Sequence, residues 1–276
     1  MAEDEPGVLT VVQRVLEELG YTVLVAGAPA ACIDRSFVQP TANTLIVHAV
    51  LDPGTPDQYV IVQSTTGAIR SQAQVIGAVV TLTTPDGRAL VADQIRDTTI
   101  ATPNVGQPPI TVVYRLSLGR AGVLLVPGGT YQLRVVVPDG RIVIGTTTLP
   151  GATPVTSPGS TSTIDRVRDT VSLAWPRVAG ARSYEVSVRS PVSTFDTFAD
   201  TSISLIGSVR DGNDNIAFSP GQTSTIVVSA VDANYYDYYR RESDVFTGSG
   251  VINHLQGGIG LFGAVVAIRT ATVIVK

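Results

Sequence analysis

Residues 171–189, VSLAWPRVAGARSYEVSVR, constrain this chain more than any other stretch. Val171, Leu173 and Trp175 alternate with Ser172 and Ala174. Tyr184, Val186 and Val188 alternate with Glu185, Ser187 and Arg189. A period of two puts one set of side chains in a core and the other in water, which is the signature of a half-buried strand. Pro176 and Gly180 lie between the two runs, so the segment reads as strand, tight turn, strand with a single Trp packed inside.

The same character extends along most of the chain. Val, Thr, Ile and Gly are abundant and Lys is nearly absent. The 26 Gly and 17 Pro supply turns between β-branched runs. At 276 residues the chain has room for two domains. From Thr44 the strands are TLIVHAVL, YVIVQST, a hairpin in VIGAVVTLTTPDGRALVAD turning at Pro85-Asp86-Gly87, ITVVYRLSL, and GTYQLRVVVPDGRIVIGTTTLP turning at Asp139-Gly140. Tyr131, Leu133, Val135 and Val137 share one face. The expected organisation is an N-terminal helix and linker over 1–43, a β-sandwich over 44–150, a Pro/Gly/Ser/Thr linker over 151–162, a second β-sandwich over 163–248, and a Gly-rich strand segment over 249–276 that returns to one of the two sandwiches. The fold class is all-β, two tandem Ig-like sandwiches behind a short amphipathic helix.

Three resemblances sharpen this expectation. Gly77-Ala78 with Val80 and Leu82, then Pro85-Asp86-Gly87 and Pro127-Gly128 before Tyr131 and Leu133, resemble the carboxypeptidase-regulatory-like, or transthyretin-like, carrier modules. The Trp175 hairpin resembles the B and C strands of a fibronectin type III domain, although Thr225 stands where that family usually has a Tyr. The order of the two modules and the Gly-Gly-x-Gly-x-Phe-Gly-Ala tail, over residues 32–276, resemble a family of uncharacterised bacterial outer-surface lipoproteins. That likeness implies an extracytoplasmic, membrane-anchored protein and no chemistry.

The first 31 residues differ from the rest. Val8, Val12, Val15 and Leu19 fall at helical spacing, Gln13, Arg14, Glu17 and Glu18 fill the other face, and Gly20 ends the helix. MAEDEPGVLTVVQRVLEELGYTVLVAG resembles the start of a response-regulator receiver domain, which implies a magnesium-holding role for Glu3 and Asp4. Neither the family's first strand nor its phosphoacceptor Asp follows, so receiver function is not expected. LVAGAPAACIDR resembles a bacterial lipobox, which implies acylation of Cys32, the only cysteine. Pro29 departs from that pattern. No stretch offers about 20 uninterrupted apolar residues, so no ordinary helical membrane span is expected.

Few constellations point to chemistry. Gly258 to Gly263 matches G-x-G-x-x-G, but the sequence after it is strand-like, so close backbone packing is expected in place of a dinucleotide. Asp211, Asn213, Asp214 and Asn215 are weak candidates for a cation loop, and an Asx-rich turn reads the same without metal. His48 and His254 have no partner at metal-ligand spacing, and there is no G-x-S-x-G or H-E-x-x-H. Net charge of −4 argues against a nucleic-acid partner. The one aromatic cluster is Tyr235, Tyr236, Tyr238 and Tyr239, followed by Arg240 and Arg241. Read as a strand, it puts Tyr236 and Tyr238 on one side and Tyr235 and Tyr239 on the other. Tyr and Arg dominate binding hot spots, so these six residues form the candidate partner surface. The expected function is a non-enzymatic, cofactor-free, membrane-tethered scaffold or accessory subunit on a larger membrane-associated complex. The alternative is a surface lipoprotein that captures carbohydrate or peptide.

Overall fold

The last strand organises everything before it. A computed structural model describes residues 43–66, 72–96, 112–152, 155, 159–211, 214–240 and 253–276. The N-terminal helix, Cys32, Asn213 and Arg241 lie outside the described residues. In chain order the strands are β1 (Leu45–Leu51), β2 (Asp57–Thr65), β3 (Gln72–Gln74), β4 (Val79–Thr83), β5 (Ala89–Val91), β6 (Asp93–Arg96) and β7 (Val112–Ser117). A four-residue helix, α1 (Leu118–Ala121), leads to β8 (Thr130–Val136) and β9 (Ile142–Thr148). Then come β10 (Thr161–Ile164), β11 (Thr170–Ala174), β12 (Ser183–Arg189), β13 (Thr194–Ala199), β14 (Ser202–Ile206) and β15 (Thr223–Val231). Helix α2 (Ala233–Tyr239) precedes β16 (Ile259–Val275). The chain is thus mostly β, in several sheets.

The largest sheet runs β13-β12-β15-β16-β1-β2-β7-β6, with β10 also on β16 and β3 on β2. A four-stranded sheet, β5-β4-β8-β9, supplies a second layer over the β1 side, and the pair β11-β14 supplies one over the β12 side. Two hydrophobic cores fill the gaps. The first takes Leu45, Val47, Tyr114, Tyr131, Leu133 and Phe262. The second takes Leu173, Trp175, Tyr184, Val186, Phe218 and Val273. The alternation in 171–189 works as written: Val171, Leu173, Tyr184, Val186 and Val188 are buried. The Trp175 ring lies 5.6 Å from the Tyr184 ring, and its indole N–H donates to the Asp200 carbonyl at 3.0 Å.

The sequence left open which half the C-terminal strand joins; β16 joins both. Its first part pairs in parallel with β1, from Ile46–Ile259 to Leu51–Ala264. Its last part pairs in parallel with β10, from Thr161–Thr272 to Ile164–Val275. Along its other edge it pairs with β15, from Thr223–Ile274 to Val231–Val265. Phe262, Ala264 and Val266 belong to the first core, and Ala271, Val273 and Val275 to the second. Val266 and Ala271 are five positions apart, an odd spacing, so a regular strand would turn the second set outward. The register shift opposite Val228/Ser229 removes that conflict: Val228 faces Arg269 and Ser229 faces Ala267, which leaves Ile268 as the extra residue of a β-bulge. Ile268 packs against both cores.

Because one strand closes both cores, damage to one half should be felt in the other. Phe262 is 1% exposed and belongs to the first core, whereas Trp175 reports on the second. Phe262→Ala should cost about 3–5 kcal/mol. In urea, the Trp175 fluorescence transition should move with the far-UV circular dichroism transition. A variant whose fluorescence midpoint stays at the parental value would show that the halves unfold independently.

Candidate functional site

Four of the six expected partner residues lie on helix α2, which corrects the strand reading of that segment. β15 ends at Val231, and Asp232 caps a helix whose residues, ANYYDYY, include no β-branched side chain. The turn signal was an Asp after an apolar strand. In helical geometry Tyr235 and Tyr239 share a side, while Tyr236 lines up with Arg240.

The helix lies on the outer face of the large sheet, across the line where the two halves meet. Asp232 is 5% exposed. Its Oδ1 accepts from the backbone N–H of Tyr235 at 2.9 Å and of Ala264 at 3.0 Å, and its Oδ2 accepts from the Thr147 hydroxyl at 2.6 Å. One carboxylate therefore links α2, β16 and β9. Burial pushes the Asp232 carboxyl above the usual carboxylate range, and these hydrogen bonds oppose the shift. Asn234 adds two bonds across the same line, from Nδ2 to the carbonyls of Thr146 at 2.7 Å and Phe262 at 2.8 Å. Gly263 makes room for this contact, because a Cβ there would stand 3.0 Å from both the Cβ and the N of Tyr235.

The tyrosines divide by role. Tyr235 is buried, and its hydroxyl donates to Glu185 of β12 at 2.9 Å. Burial raises both the Tyr235 phenol and the Glu185 carboxyl above their ordinary values. Tyr239 packs on Tyr235 with ring centroids 4.6 Å apart, and its hydroxyl is 3.0 Å from Nε2 of His48 on β1. Tyr238 sets its ring edge-on to Tyr239 at 5.1 Å and to His48 at 5.8 Å. Tyr236 meets Phe198 of β13 edge-on at 5.1 Å, with the guanidinium carbons of Arg182 and Arg240 each 5.3 Å from its ring centre. Asp237 is 3.1 Å from Nε2 of His254 and 3.5 Å from Nε of Arg240. Both histidines of the chain thus contact α2, one from β1 and one from the segment before β16. His48, Glu185, Phe198 and Arg182 lie tens to hundreds of residues from the tyrosines, so the linear sequence carried no sign of their meeting.

The other sequence candidates stay apart from this cluster. Asp211 turns both carboxylate oxygens onto Asn215, accepting from its backbone N–H and its side-chain amide at 2.9 Å each, while Asp214 pairs with Arg210 at 3.2 Å. Among the described residues no three His, Cys, Asp or Glu side chains are grouped to hold a metal ion. In the glycine motif, Gly260 has φ +123, and a Cβ there would fall 2.1 Å from the Val47 carbonyl oxygen. The position serves the approach of β1 to β16. No helix among the described residues is long and apolar enough to cross a membrane.

Two outcomes follow from this geometry. Asp232→Ala strands three donors and removes the helix cap, so it should lower stability by about 4 kcal/mol in urea unfolding. Thr147→Val, which strands only Oδ2, should cost less than half of that. The second outcome concerns His48, whose enclosure between β1 and α2 lowers its pKa from the ordinary 6.5 to about 4. Between those values the unfolded chain binds the proton and the folded one does not, so stability falls as pH drops from about 6.5 to 4. Glu185, shifted upward, acts in the opposite sense and loses its contribution as pH rises through its folded pKa. The His48→Gln variant separates the two. It should remove about 2 kcal/mol of the loss between pH 6.5 and 4, measured as the difference in Tm profiles from the parent. Parallel profiles would show that His48 is not the titrating group.

No family model matches the sequence. No curated protein matches it either. Among solved structures, the chain is similar to the FN1–FN3 domains of chicken CNTN1 at 10% identity and a TM-score of 0.19, over 83% of this chain and 67% of that one.

Proposed function

We propose that this chain is a non-enzymatic structural protein of the bacterial cell envelope. It consists of two tandem β-sandwiches, the first carboxypeptidase-regulatory-like and the second fibronectin type III-like, held as one rigid piece. It is tethered to a membrane through acylated Cys32 and serves as an accessory or scaffold subunit that docks on a larger membrane-associated assembly.

The observation that supports this reading is the shared strand. Modules joined only by a linker such as 151–162 would sample many relative orientations. Here β16 forms backbone ladders with both halves, and the buried Asp232 carboxylate bonds across their boundary. Fixed spacing and orientation are what a scaffold needs and what a flexible pair of binding modules lacks. The direction of β16 adds to this. β1 starts beside Ile259 and β10 ends beside Val275, so the start of β1 and the turn after β10 stand at opposite ends of a 17-residue strand, about 55 Å apart.

Two measurements test the proposal. Mass spectrometry of the protein from its native membranes should find a mature N-terminus at acylated Cys32. A retained Met1 on an unmodified chain would remove the tether. Affinity purification of the tagged protein after mild detergent extraction should bring down an integral membrane complex in a fixed ratio. Recovery of the chain by itself, from the soluble fraction, would overturn the scaffold reading.

A further inference from the structure

The two strands that meet at the boundary of the halves are each held along both edges. β1 lies between β16 and β2 in the large sheet, and β16 lies between β15 on one edge and β1 with β10 on the other. β1 and β16 also run in the same direction, from Ile46–Ile259 to Leu51–Ala264. The chain therefore enters β1 beside the start of β16, while β16 continues past the last shared pair to Val275. The entry itself is fixed. Asn43 donates its backbone N–H to the Thr65 carbonyl at 2.8 Å, and Thr65 donates its own to the Thr44 carbonyl at 2.9 Å. The side chains of Leu45, Val47, Ala49 and Leu51 are all buried in the first core.

This topology decides how the sheet meets tension. Force applied between the chain before Asn43 and the end of β16 draws β1 backward and β16 forward, each along its own axis. A parallel ladder has evenly spaced bonds, so loading along the strands strains all of them together. β1 has to slide against β2 as well, from Leu45–Ser64 to Ala49–Val60, and to pull its buried side chains out of the first core. The far end is held over a longer ladder, because β16 pairs with β15 from Val265 to Ile274 and with β10 from Thr272 to Val275. Rupture therefore begins at β1. Force applied at the adjacent starts of β1 and β16 acts differently: it opens the same pairs one after another, beginning at Ile46–Ile259.

We infer that the β1–β16 pair is a force-bearing joint, a further function of this fold: tension between the chain entering β1 and the far end of β16 is carried in shear along both edges of β1. The inference goes beyond the scaffold reading and does not rest on it, since it needs only the described strands and holds whatever anchors the chain. Two modules joined end to end would each be stretched in turn, with the load passing through the linker between them. Here load enters the first half at β1, crosses to β16 through the shared ladder, and leaves through the second half. The connection over 151–162 is bypassed.

Single-molecule force spectroscopy on the full chain, purified without acylation, tests this. Cys32 is the only cysteine, so handles can be attached at its thiol and at one introduced cysteine. Lys276→Cys loads the joint lengthwise. Gln256→Cys, at an exposed position three residues before β16, opens it from one end. The chain between Cys32 and Asn43 is common to both arrangements. At equal pulling speed the lengthwise rupture force should exceed the other at least about twofold, because the pairs fail together in one case and singly in the other. Phe195→Leu alters the second core on β13, away from the joint. It should lower the urea midpoint and leave the lengthwise force at the parental value, since forced unfolding follows the barrier along the pulled path and not the overall stability. Circular dichroism melting verifies that each variant is folded. Equal rupture forces in the two arrangements would overturn the inference, as would a lengthwise force that drops in Phe195→Leu in step with its loss of stability. Neither result changes what is recovered from native membranes, so the joint and the scaffold reading fail separately.

Discussion

The structure depends on a single strand that belongs to two cores at once. β16 needs partners for its backbone groups along all 17 residues, and no one neighbour is long enough to supply them. β1 covers the first six positions of one edge and β10 the last four, while β15 takes the other edge from Val265 onward. The bulge at Ile268 makes the arrangement possible, because without it the strand could bury its apolar residues in one core or the other but not both. Ile268, the extra residue, touches both cores, so the defect in the ladder is also the point of contact between the halves.

Polar contacts then fix what the strand joins. Asp232 and Asn234 together bond to β9, β16 and α2, all within a few residues of the boundary. Low local dielectric makes such bonds strong when complete and costly when one partner is missing. The raised pKa of Asp232 reflects the cost of enclosing its charge, and the three donors around it offset that cost. Helix α2 extends this fixing outward: Tyr235 reaches β12 through Glu185, and Tyr239 reaches β1 through His48. A seven-residue helix is unstable by itself in water. Here it is held by strands from both halves, and it in turn restrains them.

Much of the first layer of this architecture was legible in the sequence, because strands with one buried face write their period directly. The alternations at 171–189 and 131–137 gave strands and core residues together, and Asp-Gly pairs marked the turns near 86 and 139. The tyrosine segment was misread because four aromatic residues after a strand look like more strand. The Asp232 cap was the local signal against it, and the tertiary signal lay in residues that sequence order separates. The double membership of β16 was not legible, since its apolar run of Val, Ala and Ile has no single period. The flip in parity between Phe262–Val266 and Ala271–Val275 is visible once a bulge is allowed, but a run with few charges offers no reason to place one. The contact of Arg182 with the Tyr236 ring was hidden for a similar reason: the two lie 54 residues apart in sequence.

The position of β16 in the chain also sets the order in which the structure can form. Ile46 pairs with Ile259, and the second core contains both Ile164 and Val273, so contacts that close each half span one hundred to two hundred residues. Long-range pairing of this kind carries a loop-closure cost before it is rewarded. Until residues 259–275 are available, β1 lacks its parallel neighbour and β15 an entire edge. Neither core can then reach its final form. The same feature that welds the halves therefore delays both, and the chain commits to its structure in one late step. This coupling has a clear consequence. A half that folded by itself could dock in the wrong orientation, whereas a shared closing strand ties completion of each core to correct placement of the other.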